Sequence, residues 1–206
     1  MVHVIGPRDR KRMLEFKGKG IPIVNTTSSA KGCWSILLSP FYLGPVYLYG
    51  GYSAFKMENA WQYSKVYTRH VDAEGNPTPA YFEWAQEGWK NKVAVRYPMG
   101  KGIKPEYLWW DGEKIDYIAA RKKVYAPLYI KCVVSTKAFT KLKEMRDNNP
   151  EIVLWDFDGY DYISLGMTLK DVLNDPTRKM GHAFVLAILL TMKREEILEV
   201  LNYEKF

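Results

Sequence analysis

The sequence predicts an α+β fold, a mainly helical single domain with a few short strands. Three observations carry this. Segments that read as helices outnumber the short apolar runs that suit strands. The two kinds do not alternate as regular βαβ units, which argues against a doubly wound sheet. No internal repeat is visible. A chain of 206 residues fits one ordinary domain with a sizeable core. With 47% hydrophobic and 26% charged residues it belongs among globular and not disordered chains.

Residues 1–20 are basic and glycine-spaced, and read as an N-terminal arm or a short helix ending in a loop; the remaining 21–206 form the domain. Residues 21–24 are a short apolar run, a strand, and 25–31 are polar turn material. Residues 33–38 are apolar again until Ser39-Pro40 breaks the run, and 46–49 make a second strand closed by Gly50-Gly51. Residues 53–71 form the first strong helix candidate, with Ser53 placed to cap it and Phe55, Ala60, Val66 and Tyr67 as apolar positions. A loop follows over 72–79, then a helix over 79–93 with Pro79 in its first turn. The stretch 96–104 is a loop, and helices are expected over 113–125 and 137–146, separated near Pro127. Residues 152–157 are a buried strand, 169–173 a short helix, and 180–200 one long apolar helix at the centre of the core.

No run of eighteen apolar residues is present, so no membrane span is expected. At the N-terminus charge follows the short apolar stretch, the reverse of a signal peptide, which points to the cytoplasm. Cys33 and Cys132 stand far apart, and His3, His70 and His182 are scattered. These spacings predict neither a disulfide framework nor a metal site, and nothing calls for a cofactor. The net charge of +7 with 15% aromatic residues suits an anionic partner, a nucleotide or a nucleic acid, through stacking beside phosphate contacts. A solvated basic surface over an aromatic-rich core has the same composition.

Four segments have the residue types for chemistry. Glu58, Gln62 and Lys65 are spaced i, i+4, i+7, so a helix would place them on one face beside Trp61, a pocket wall or an ordinary charged stripe. The loop Arg96 to Gly102 combines Gly100 and Gly102 with Lys101, which fits phosphate as well as a plain turn. Trp155, Asp156, Phe157, Asp158, Gly159 and Asp161 place acids at the end of an apolar strand. That pattern parallels haloacid-dehalogenase-like phosphatases, but it comes late in the chain and Tyr160 follows Gly159 where Thr is usual; it also echoes a kinase metal motif without that motif's companions. Arg178, Lys179, Gly181 and His182 open the last helix, where free backbone N–H groups favour anions and Gly181 permits close approach. His182 reads equally as a ligand contact or a satisfied histidine under a loop.

Taken in order these motifs resemble the YbiA-like, or NADAR-type, family over roughly residues 36–190: Ser39-Pro40-Phe41, the strand and Gly50-Gly51 turn, the Glu58…Gln62…Lys65 spacing, the Trp155–Asp161 stretch and the Met180-Gly181 helix start. The chain departs from that pattern at Lys56, where the family places Ser, at Ile188, where it places Arg, and around Trp155, which here precedes the acids. The resemblance implies a YbiA-like fold and a hydrolase of N-glycosyl bonds acting on a ribosylated nucleotide or ADP-ribose conjugate, which extends to an ADP-ribosylated base in DNA. It implies Glu58 as water activator or cation stabiliser, Asp156 or Asp158 as second carboxylate, and Lys65 as partner of phosphate, leaving base or Glu58. Trp61 or Trp155 would stack on base or sugar, Gln62 and His182 would contact substrate, and Lys101, Arg178 and Gly181 would hold phosphate. The departures leave two alternatives, a non-catalytic nucleotide-binding protein and a DNA-associated base-modification protein.

Overall fold

The computed structural model describes residues 1–202; the last four residues of the expected 21–206 domain lie outside the described residues. The chain folds as an α+β unit around one three-stranded parallel sheet. Strand β1 (Val2–Ile5), helix α1 (Arg10–Gly18) and strand β2 (Ile23–Asn25) come first. The sheet is completed by a strand from far along the chain, over Ile152–Trp155, which lies between the other two with Val4 and Val24 both opposite Leu154. Being central, it is apolar throughout, and its side chains alternate between two buried layers. Val2, Val4, Val24, Ile152 and Leu154 face the main core, while Ile5 and Val153 face Phe16 and Met13 of α1. Residues 1–20 therefore do not stand apart as an arm. Arg10, Lys11 and Lys17 are exposed and Arg12 donates to Asp161 at 3.0 Å, while the apolar face of Met13 and Phe16 at i, i+3 has a sheet to cover.

Next come β3 (Val46–Tyr47) and β4 (Ser53–Ala54), an antiparallel pair, then α2 (Met57–Gln62) and β5 (Lys65–Val66). The expected single helix over 53–71 is thus two strands and a six-residue helix. The helix stops where Ser64 Oγ donates back to the Ala60 carbonyl at 2.8 Å, and Val66, β-branched and fully buried, pairs with a strand instead. Helix α3 (Pro79–Lys90) starts on its proline as expected and buries Tyr81, Ala85, Gly88 and Trp89 along one face.

Strands β6 (Tyr107–Trp110) and β7 (Glu113–Ile115) form a hairpin that continues from β5. Asp111 and Gly112 turn it with φ of 48° and 87°, the left-handed pair that a two-residue hairpin loop requires. The expected helix over 113–125 therefore begins as a strand. Helix α4 (Tyr117–Ala120), a π-helical turn (Arg121–Tyr125) and α5 (Ala126–Val133) then run on without a break. Pro127 does not separate two helices. The widened turn before it absorbs the missing N–H and the ring's clash with the preceding turn. Helix α6 (Lys137–Asp147), capped by Thr136, leads to β8 (Ile152–Trp155), the central strand.

Helix α7 (Leu169–Asn174) carries a Thr168–Asp171 capping box, and α8 (His182–Thr191) and α9 (Arg194–Leu201) end the described chain. Ala183 to Ile188 are all buried, so α8 is apolar all round because it lies between β1, β8, α5 and α7. The expected helix over 180–200 is split at Met192, where the backbone becomes extended and Glu196 accepts the Lys193 N–H at 2.7 Å to restart it. Among the described residues no helix is long and apolar enough to cross a membrane.

Candidate functional site

A cleft of about 620 Å³ opens at the carboxyl ends of the parallel strands, where sheets of this kind present loops to a ligand. Thr27 and Ser28 follow β2 into it and Asp156 to Asp158 follow β8. The opposite wall is α2 with Lys65, and the ends are closed by the 96–105 loop and by the start of α8.

Of the residues singled out in the sequence, Glu58, Trp61, Gln62, Lys65, Asp156, Asp158, Gly181 and His182 all line this cleft. Glu58, Gln62 and Lys65 form a hydrogen-bonded row, although Lys65 stands on β5 and not on the helix. Gln62 Nε2 donates to Glu58 Oε1 at 2.9 Å and Lys65 Nζ donates to Gln62 Oε1 at 2.7 Å. Lys65 Nζ also lies 5.0 Å from the Trp61 ring, within cation–π range. Among the described residues Glu58 Oε2 accepts nothing. Burial raises the Glu58 carboxyl above its usual range, against the opposing pull of the Gln62 hydrogen bond and of Lys65, Arg96 and His182. Burial likewise lowers Lys65 to about 8, Lys179 adding to the effect and Glu58 and Asp158 opposing it.

Asp156 is otherwise engaged. Its Oδ2 accepts the Ala183 N–H at 3.0 Å at the start of α8 and lies 3.1 Å from His182 Nδ1, and Oδ1 accepts the Asp158 N–H at 3.2 Å. His182 Nε2 donates to the Thr26 carbonyl at 2.7 Å. The carboxylate thus neutralises the α8 N-terminus, joins α8 to the end of β2 and leaves no oxygen free. Gly181 belongs to this packing, since a Cβ there would overlap Asp156 Oδ2. Asp158 is held differently, by Arg96 Nη2 at 3.0 Å near the cleft mouth.

Three expected residues lie elsewhere. Trp155 is one step before Asp156 in β8, so strand alternation turns its indole to the α1 side, against Ile5 and Phe16 and 5.3 Å from Phe157. Arg178 turns outward to Asp175 at 2.8 Å, and its neighbour Lys179 reaches the cleft in its place. Lys101 is exposed at the loop tip, with Gly100 and Gly102 on the cleft wall.

Other lining residues were not singled out. Arg96 belongs to the basic loop that was noted, and Asn59 fixes that loop by donating to the Asn91 and Val93 carbonyls, both at 2.9 Å, and accepting the Val95 N–H at 2.8 Å. Arg121 is buried, donates to the carbonyls of Val172 (3.2 Å), Asp175 (2.7 Å) and Arg178, and so ties down the segment that carries Lys179 and Gly181. Tyr125 reaches the cleft from the π-helical turn, which no sequence pattern announced. Among the described residues no group of three or more His, Cys, Asp or Glu is placed to hold a metal ion. Comparison with protein-family models, curated proteins and solved structures gives no match to the chain.

Proposed function

We propose that the chain is a YbiA-like N-glycosidase that hydrolyses the bond between a ribose and a nitrogen base in a nucleotide or ADP-ribose conjugate. The row Glu58–Gln62–Lys65 along one cleft wall is the observation that carries this reading. In the reaction the C–N bond breaks and its electron pair leaves with the base. The anomeric carbon passes through an oxocarbenium-like state, and water adds to it. Glu58 has a free oxygen and a raised proton affinity, so it stabilises the cationic carbon and takes the water proton, which then passes to the departing base. Gln62 holds the Glu58 carboxylate in place. Lys65, Arg96 and Lys179 supply positive charge for a phosphate group, and Trp61 offers an indole face for the base. Asp158, unlike Asp156, is free to act as the second carboxylate once Arg96 turns to substrate.

The test is incubation of the purified chain with NAD, free nucleotides, ribosylated amines and ADP-ribosylated nucleosides of each base, alone and in an oligonucleotide, with chromatographic detection of released base or ADP-ribose. Release by the wild type that Glu58→Gln abolishes supports the proposal. Intact substrates throughout, under conditions where the chain stays folded, would sink it.

A further inference from the structure

The cleft lining also includes part of a π-helical turn, Arg121–Tyr125. Such turns displace side chains from ordinary helical positions and are frequent at functional sites. Arg121 and Tyr125 reach the cleft from it, and Tyr117 from α4 just before it. Two of them have structural tasks: Arg121 holds three carbonyls, and its guanidinium lies 4.3 Å over the Tyr117 ring.

Tyr125 is different. Its ring is only 7% exposed and is clamped between Trp61, 5.0 Å away, and Tyr129, 6.4 Å away and nearly parallel. Among the described residues its hydroxyl has no hydrogen-bond partner, yet the side chain forms part of the cleft surface. Unlike the hydroxyls of Tyr49 and Tyr160, which are sealed from solvent without a partner, the Tyr125 hydroxyl opens onto the cleft. The carboxylates acting on it are Glu58 most strongly, then Asp156 and Asp158. Both oxygens of Asp156 are taken and Asp158 is paired with Arg96. Burial and the Glu58 charge keep the phenol protonated, so it enters the cleft as a neutral donor with no protein acceptor assigned to it.

We infer that Tyr125 is a ligand-contacting residue whose hydroxyl donates to a ribose hydroxyl oxygen beside Glu58. The inference rests on reading the cleft as the site of N-glycoside hydrolysis, because that reading places a ribose there. It adds a residue that orients the sugar so that its anomeric carbon faces the Glu58 carboxylate.

The test is Tyr125→Phe, which removes one oxygen and keeps the ring between Trp61 and Tyr129. Calorimetric binding of ADP-ribose and turnover of whichever conjugate the wild type cleaves are measured side by side. The expected result is binding weakened about five- to tenfold, the range of one lost hydrogen bond, with an unchanged melting temperature. A second measurement replaces Tyr125 by 3-fluorotyrosine; its fluorine resonance should move on adding ADP-ribose. If the wild type binds or cleaves and Tyr125→Phe matches it, with a static fluorine signal, the assignment of Tyr125 is wrong while the hydrolase reading stands. Binding that weakens in Tyr125→Phe without any turnover by the wild type supports Tyr125 and removes the hydrolase reading. No ADP-ribose binding by the wild type removes both.

Discussion

Asp156 Oδ2 lies 3.1 Å from His182 Nδ1, and this contact ties the two sides of the cleft floor together. The Thr26 carbonyl can only accept, so His182 Nε2 must keep its hydrogen. The pair joins the ends of β2 and β8 to α8.

Asp156→Asn tests this. The amide would need an oxygen toward Ala183 N and another toward Asp158 N, and it has one. Either orientation sets an N–H against a backbone N–H. The expected loss is about 2 kcal/mol of unfolding free energy, the cost of a buried unsatisfied donor, read from the urea midpoint. A midpoint equal to wild type would show that the hydrogen bonds are not as described.

Gly181→Ala follows from the same packing. The added methyl would overlap Asp156 Oδ2, with an expected cost of about 1–3 kcal/mol for overpacking. The cost should largely disappear in an Asp156→Ala background, because the clash has one partner. Additive losses in the double variant would contradict the geometry.

Much of this floor was legible in the sequence. An apolar strand ending in Asp156 and a glycine before an apolar helix are local signals, and the residues they marked do meet. The hydrogen-bonded order of Glu58, Gln62 and Lys65 was legible for a partly mistaken reason. The i, i+4 pair is helical, but Lys65 comes back to Gln62 from a strand that pairs with Tyr107 and Leu108, a long-range contact that spacing does not reveal. The hairpin at Asp111-Gly112 did have a local signal, an Asp-Gly pair between apolar and aromatic residues. The π-helical turn had none. Its register depends on Pro127 and on the carbonyls that Arg121 must reach around α7, some fifty residues away. N-terminal β1 was hidden because a four-residue strand inside a basic segment is recognisable only with β8 beside it.

Glu58→Gln should separate stability from activity. Burial raises the Glu58 carboxyl, so the folded state resists its ionisation. A raised carboxyl contributes stability that is fully present below its unfolded value and is lost as pH rises through the folded one. The neutral amide escapes that loss. Glu58→Gln should therefore melt higher than wild type at pH 7 and lose the advantage in acid, while turnover falls about 100-fold or more. A variant that is less stable at pH 7 would place the dominant influence on Glu58 with Lys65 and Arg96 and not with burial.

Lys65 gives the opposite pH dependence, and its sign can be worked out in full. Its value falls from 10.5 to about 8 on folding, chiefly through burial. Between those values the unfolded chain holds the proton and the folded chain has released it, so stability due to this group rises with pH across that window. Below about pH 8 the ammonium is buried in the folded state and its penalty is fully present. Lys65→Arg cannot shed its charge. Wild type should therefore gain stability relative to Lys65→Arg as pH rises from about 8 to 10, measured by parallel urea titrations. Anion affinity should run the other way. If the ammonium faces a phosphate group, ADP-ribose binding by wild type weakens as the amine deprotonates, at a pH somewhat above 8 because the bound anion favours the charged form. Lys65→Arg should bind with little dependence on pH over the same range. Parallel decline in both proteins would assign the titration to another group, and a flat wild-type profile would remove Lys65 from the phosphate contact.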